Sequence, residues 1–214
     1  MIPEYLKRNL DLFRTGEYTI VSERDEVISI IEEESEGAAT LRSKFEDEAV
    51  VFHFPEKRTL PYLDANKKAC QCADKFIFIR HVNNEKWQLH ILEFKKSIKY
   101  DKWKKIKNQF KYGVMNARAL AAFLNMEIDG IVLETAYRND WKLRNAPYSP
   151  TAMRAANSAT EAAAYKEWKE NIVILELDSK EISFFHEKIQ LDIEGNGEKV
   201  FKYKKKKKNG TVAK

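Results

Sequence analysis

The sequence predicts a mixed α/β fold, a sheet flanked by helices, and three observations point to it. Apolar residues alternate in two adjoining runs, KFIFIRH (75–81) and KWQLHILEFK (86–95). They then recur at helical spacing from about Tyr100 to Asn125. Two more β-branched runs follow, IDGIVLETA and NIVILEL, separated by a helical stretch. Alternation of period two marks strands and a period near 3.6 marks helices, so strands and helices interleave along the chain.

In order, residues 3–14 suit a short helix. Residues 22–35 read as a second, with Val27, Ile28 and Ile31 as its inward stripe and Glu34 on the same stripe. Val50 to Phe54 reads as a strand, followed by a polar connection through Pro55, Pro61 and Asn66. The runs 75–81 and 86–95, joined by Asn83, Asn84 and Glu85, make an antiparallel hairpin. In the long helix after it, Trp103, Ile106, Phe110, Val114, Ala117, Leu120, Ala121 and Leu124 fall on one face. A strand at 128–136, a loop with Pro147 and Pro150, a helix at 151–170 and strands at 171–177 and within 181–193 complete the order.

The 214 residues suit one domain, expected over 1–200, with a flexible basic tail at 201–214. A 43% hydrophobic and 12% aromatic composition can bury a core, which excludes wholesale disorder. No apolar run reaches the length of about 18 residues needed to span a bilayer, and the first dozen residues lack the apolar centre of a signal peptide. Two cysteines, Cys70 and Cys72, are too close for an easy disulfide and too few for a zinc site. Together these favour a cytoplasmic protein without a membrane partner. The net charge of +5 is a property of the tail: residues 199–214 hold eight lysines and no acid, and without them the body stands near −3. Such a run either attracts phosphate backbones or merely solubilises the chain, and the sequence supports both readings equally.

The chemistry concentrates at one end of the hairpin. Trp87, Leu89, Ile91, Glu93 and Lys95 share a face, so the second strand starts in the core and ends by presenting a carboxylate and an ammonium. Asp74 shares a face with Phe76 and Phe78 and is about as far from the turn as Glu93, so Asp74, Glu93 and Lys95 converge. Two close carboxylates repel unless a cation lies between them, and oxygen ligands suit Mg²⁺ or Mn²⁺. The Phe94 carbonyl, between the two functional side chains, is the natural further ligand. A cation there would activate water and neutralise a scissile phosphate, with Lys95 stabilising the transition state.

An Asp at the start of one strand, Glu-x-Lys at the end of the next, then a helix and a strand resemble the PD-(D/E)XK nuclease superfamily. The residues carrying the resemblance are Ala73-Asp74 and Glu93-Phe94-Lys95, eighteen residues apart, within a core motif region of about 22–136. Ala73 stands where the family has proline. The resemblance implies a restriction-endonuclease-like core, a four-stranded mixed sheet flanked by helices. It also implies phosphodiester hydrolysis with Mg²⁺ or Mn²⁺, DNA ahead of RNA as substrate, and a homodimer as one arrangement open to the chain. The family's helical acid is assigned to Glu34, because it extends the stripe Val27–Ile31, and Gln109 to a substrate or water contact. Two other copies of the pattern, Glu167-x-Lys169 and Asp178-x-Lys180, lack this context.

From Lys95 to Lys111 there are eight lysines and one acid, Asp101. Lys96, Lys104, Lys105, Lys107, Lys111 and Tyr112 are therefore candidate nucleic-acid contacts, against the alternative of a solvated helix face. His53, His81, His90 and His186 show no metal-ligand spacing, and His90 points to the face opposite Glu93. Trp141 and Tyr148 could stack bases or be partly buried. The alternative function is a non-catalytic nucleic-acid-binding or protein-interaction module that keeps the nuclease fold.

Overall fold

A computed structural model describes residues 2–34, 37–53, 71–81, 83, 85–140 and 158–204. Two mixed sheets pack face to face, with helices over the outer face of the larger one. The first helix, α1 (Glu4–Leu10), buries Leu6 and Leu10. The strands are β1 (Tyr18–Val21), β2 (Glu26–Glu34), β3 (Gly37–Phe45), β4 (Ala49–Phe52), β5 (Lys75–Arg80) and β6 (Trp87–Ser97). Then come α2 (Tyr100–Phe123), β7 (Ile128–Asn139), α3 (Ser158–Glu170), β8 (Ile172–Leu177), β9 (Lys180–Gln190) and β10 (Asn196–Phe201).

The large sheet has seven strands in the order β1-β4-β5-β6-β7-β9-β8. Its pairs β6–β7 and β7–β9 are parallel and the rest antiparallel. Parallel neighbours need a crossover, and α2 supplies the one between β6 and β7. The small sheet runs β10-β3-β2, with β10 parallel to β3 and β3 antiparallel to β2.

Alternation along the strands divides the core in two. Val50, Phe76, Phe78, Leu89 and Ile91 pack under Leu6, Ile106, Phe110, Val114 and Trp168 of the helices. Val51, Ile77, Ile79, Leu92 and Phe94 point the other way, onto Ile30, Leu41, Phe45 and Phe201 of the small sheet. Helices thus flank one face of the large sheet and a second sheet covers the other. Gly113 lets α2 approach closely: a Cβ there would lie 3.2 Å from Ile91 Cγ2 and 3.4 Å from Ala73 Cβ.

One expected helix is a strand. The stripe Val27–Ile31 fits a helical turn, but in a strand Val27 and Ile31 share one face and Ile28 lies on the other. In β2, Val27 and Ile31 face outward at 44% and 47% exposure, while Ile30, off the helical stripe, is fully buried. Consecutive β-branched residues favour the extended form, and pairing with β3 settles it. The C-terminal boundary also moves. Phe201, expected in the tail, is fully buried and stacked on Phe45 at 5.1 Å. Tyr203 N–H donates to Asp47 at 2.9 Å, and Lys204 N–H to Gln88 Oε1 at 3.0 Å. The expected helix at 151–157, the loop aromatics Trp141 and Tyr148, Cys70, and the lysines from 205 on lie outside the described residues. Among the described residues no helix is long and apolar enough to cross a membrane.

Candidate active site

Pairing of β5 with β6 runs from Arg80↔Trp87 to Lys75↔Leu92, and there β5 begins. One step further, Asp74 comes level with Glu93. Beyond Leu92 the β5-facing edge of β6 has no strand partner, so the Phe94 peptide groups need other ones. Asp74 Oδ2 accepts the Phe94 N–H at 2.7 Å, and Lys95 Nζ donates to the Phe94 carbonyl at 2.9 Å. Lys95 Nζ also donates to Glu93 Oε1. Four groups expected together, Asp74, Glu93, Lys95 and the Phe94 carbonyl, therefore meet at one sheet end.

Electrostatically the site is strained toward cations. Glu93 is fully buried and its Oε2 has no hydrogen-bond partner. Burial first, then the Asp74 charge, raise its pKa well above the usual carboxylate range, against the pull of Lys95. Burial likewise pushes Asp74 up to about 7, with Glu32 adding to the rise and Lys95, the Phe94 N–H and Lys75 opposing it. Buried carboxylates held next to each other are stabilised by positive charge. Oxygen donors of this kind, with one buried carboxylate oxygen unpartnered, fit a hard divalent cation. Among the described residues, no group of three or more His, Cys, Asp or Glu side chains is drawn together at metal-ligating spacing. The ammonium of Lys95 instead neutralises Glu93.

The third acid comes from an unexpected place. Glu34, assigned from a helical stripe, is the last residue of a strand, paired with Gly37. Glu32, two residues earlier on β2, is the acid felt by both Asp74 and Glu93. It accepts from Lys75 Nζ, which is fully buried and also donates to the His53 carbonyl at 2.7 Å. An alternating reading of 26–34 would have placed Glu32 inward with Ile28 and Ile30, but the helical reading hid that signal.

Gln109 is buried and its Oε1 is unpartnered. It lies one turn before Gly113, where a Cβ would meet Ile91 and Ala73. The helix returns antiparallel to β6, so one turn of about 5 Å brings Gln109 level with Glu93. The expected basic contacts separate into two sets. Lys96, Lys104 and Lys105 are exposed; Lys111 and Tyr112 are half-buried, Tyr112 against the helix-side core. Lys107 is spent internally, bonded at 2.7 Å to Glu167, which also accepts from Trp103 Nε1 at 2.8 Å.

Three histidine side chains have partners other than Asp74, Glu93 and Lys95. His53 Nε2 bonds Thr19 Oγ1 at 2.8 Å, and His81 packs edge-on to Tyr203. His90, on the small-sheet side, bonds Glu134 Oε1 at 2.8 Å and Gln88 Oε1 at 3.1 Å. Glu134 in turn meets Lys199 Nζ at 3.3 Å. His90 and Lys199 hold the Glu134 carboxyl below its ordinary value despite burial. That buried network ties β10 to the large sheet. Cys72 is a buried thiol.

No family model, curated protein or solved structure matches this chain.

Proposed function

We propose that the chain is a metal-dependent phosphodiesterase acting on nucleic acid, DNA ahead of RNA, with Asp74, Glu93 and the Phe94 carbonyl as ligands for Mg²⁺ or Mn²⁺. The observation that carries this reading is the register: Asp74 level with Glu93 where β5 begins, with Lys95 on both Glu93 and the Phe94 carbonyl. The order β4-β5-β6-β7 with α2 between β6 and β7 supports the resemblance to a restriction-endonuclease-like core, since it is a mixed four-strand unit carrying both motif halves. When bound, the cation would neutralise the scissile phosphate and acidify the attacking water. Lys95, released from Glu93, would hold its ammonium toward the charge developing on phosphate. Asp74 stays oriented by the Phe94 N–H, and Gln109 offers an amide at the level of Glu93. Exposed Lys96, Lys104 and Lys105 are suited to backbone phosphates, which position a substrate without reading its sequence.

One observation favours a second reading. Lys95 on Glu93 and Lys75 on Glu32 already neutralise two acids internally, as a non-catalytic binding module would require. Cleavage decides between them. Circular DNA, linear DNA and single-stranded RNA are incubated with Mg²⁺ or Mn²⁺ and the parent protein, Asp74→Ala or Lys95→Ala. Cutting by the parent that needs metal, and drops at least 100-fold in both variants, supports the enzyme. No cutting by the parent on any of these nucleic acids, together with no metal binding by calorimetry, would sink the enzyme and leave the binding module.

A further inference from the structure

Gln88 of β6 grips the backbone of Lys204, the first of five consecutive lysines at 204–208. Its Nε2 donates to the Lys204 carbonyl at 3.1 Å, and its Oε1 accepts the Lys204 N–H at 3.0 Å. A backbone N–H only donates and a carbonyl only accepts, so this pair fixes which way round the amide lies. Gly130, close to Gln88 in the β6–β7 register, leaves the amide its room: a Cβ there would lie 3.2 Å from Nε2. Gln88 Oε1 also lies 3.1 Å from His90 Nε2, while His90 Nδ1 lies 2.8 Å from Glu134 Oε1. Gln88, His90 and Glu134 are all buried.

Both ring nitrogens of His90 therefore face acceptors, and only the imidazolium donates from both. A neutral ring keeps one proton, and the carboxylate, the stronger acceptor, holds it at Nδ1. The bare Nε2 then faces Gln88 Oε1, lone pair against lone pair. Turning the amide over relieves that clash but sets its NH₂ against the Lys204 N–H and its oxygen against the Lys204 carbonyl. Both bonds to Lys204 are lost together.

The charges around the ring accommodate either form. Glu134 of β7 and Glu187 of β9 face Lys199 of β10 and Lys204 beyond it. Lys199 Nζ is 3.3 Å from Glu134 and also pairs with Glu187, which Lys204 Nζ meets as well. Beside His90, β5 presents only Ile77, and β10 sets the Phe201 ring edge-on at 5.7 Å. Two carboxylates and two ammonium groups balance without the imidazolium, so its proton can leave without stranding a charge.

We propose that His90 is a proton switch for the C-terminal segment: protonated, it holds Gln88 in the orientation that binds Lys204, and neutral, it releases Lys204 and the start of the lysine run from the sheet. Histidine changes charge around neutrality, so the switch works in the physiological range. It uses no residue of the candidate metal site and stands independently of the nuclease reading.

The test follows the Lys204 amide by hydrogen exchange and the His90 ring nitrogens by ¹⁵N NMR, on the full chain from about pH 5.5 to about pH 8.5. Exchange is scaled to the β3 amides to remove its intrinsic pH dependence. The expected result is that Lys204 protection falls about 10-fold or more as pH rises, over the range in which His90 Nε2 loses its proton. In His90→Gln that fall should vanish, and in Gln88→Leu protection should be low at every pH. Constant Lys204 protection while His90 loses its proton overturns the proposal, as does a fall that persists in His90→Gln. A ring that keeps both protons, or has only one, throughout the range overturns it too. If His90→Gln does not fold, the two parent curves decide: midpoints about one pH unit or more apart contradict the switch.

Discussion

At the scale of single residues, the candidate site sets stability against chemistry. Glu93 is buried beside Asp74, and after burial itself the Asp74 charge raises its cost of ionising, as burial and Glu32 do for Asp74. Replacing Asp74 with Asn removes that repulsion while keeping an oxygen to accept the Phe94 N–H. In chelator, Asp74→Asn should therefore be more stable than the parent by about 1 to 2 kcal/mol, read from urea unfolding, while losing Mn²⁺ binding. An Asn variant less stable than the parent without metal would mean that Asp74 is structural. Asp74, Glu93 and Lys95 were legible in the sequence because a tight hairpin converts distance from the turn into spatial pairing. Glu32 was not, since its position depends on which sheet β2 joins.

At the scale of elements, β2 is where reading by period alone fails. Val27, Ile28 and Ile31 satisfy a helical pattern and Ile28 and Ile30 an extended one, and only the partner strand selects between them. The two forms bury different residues, so substitution separates them. Ile30→Ala should cost about 2 to 4 kcal/mol, whereas Ile31→Thr should stay within about 0.5 kcal/mol, both from denaturant unfolding. The reverse ranking would restore the helix. The long helix α2 was legible throughout because its apolar stripe persists from Trp103 to Leu124, far beyond the reach of any alternating strand. Its basic side was less so: Lys107 resembles its neighbours in sequence, yet it faces Glu167 of α3.

At the scale of the whole molecule, the two cores and the buried polar groups between helices and sheets set the pH response. Burial, aided by Lys188, lowers the His186 pKa to about 3 from 6.5. The native state thus leaves His186 neutral where the unfolded chain protonates it. Its contribution to stability is full above pH 6.5 and falls by about 1.4 kcal/mol per pH unit as pH drops toward 3. Compared with His186→Leu, the parent should lose about 2 kcal/mol of relative stability between pH 7 and pH 5, measured by urea unfolding at each pH. Parallel pH profiles would show that His186 titrates normally in the folded protein. The mixed α/β class was visible in the order of elements. That a second sheet, and not helices, covers the far face was hidden in the misread β2 and in a C-terminal strand whose lysines look like a tail.

Asp74, Glu93 and the Phe94 carbonyl are proposed to hold a divalent cation beside Lys95. Anomalous diffraction at the manganese edge from crystals soaked in MnCl₂ tests it most directly. The expected result is an ion roughly 2.0 to 2.6 Å from the three oxygen donors, with the Lys95 ammonium moved off Glu93. Manganese found only elsewhere, with Lys95 still on Glu93 and the Phe94 carbonyl, would rule out a cation site at this sheet end.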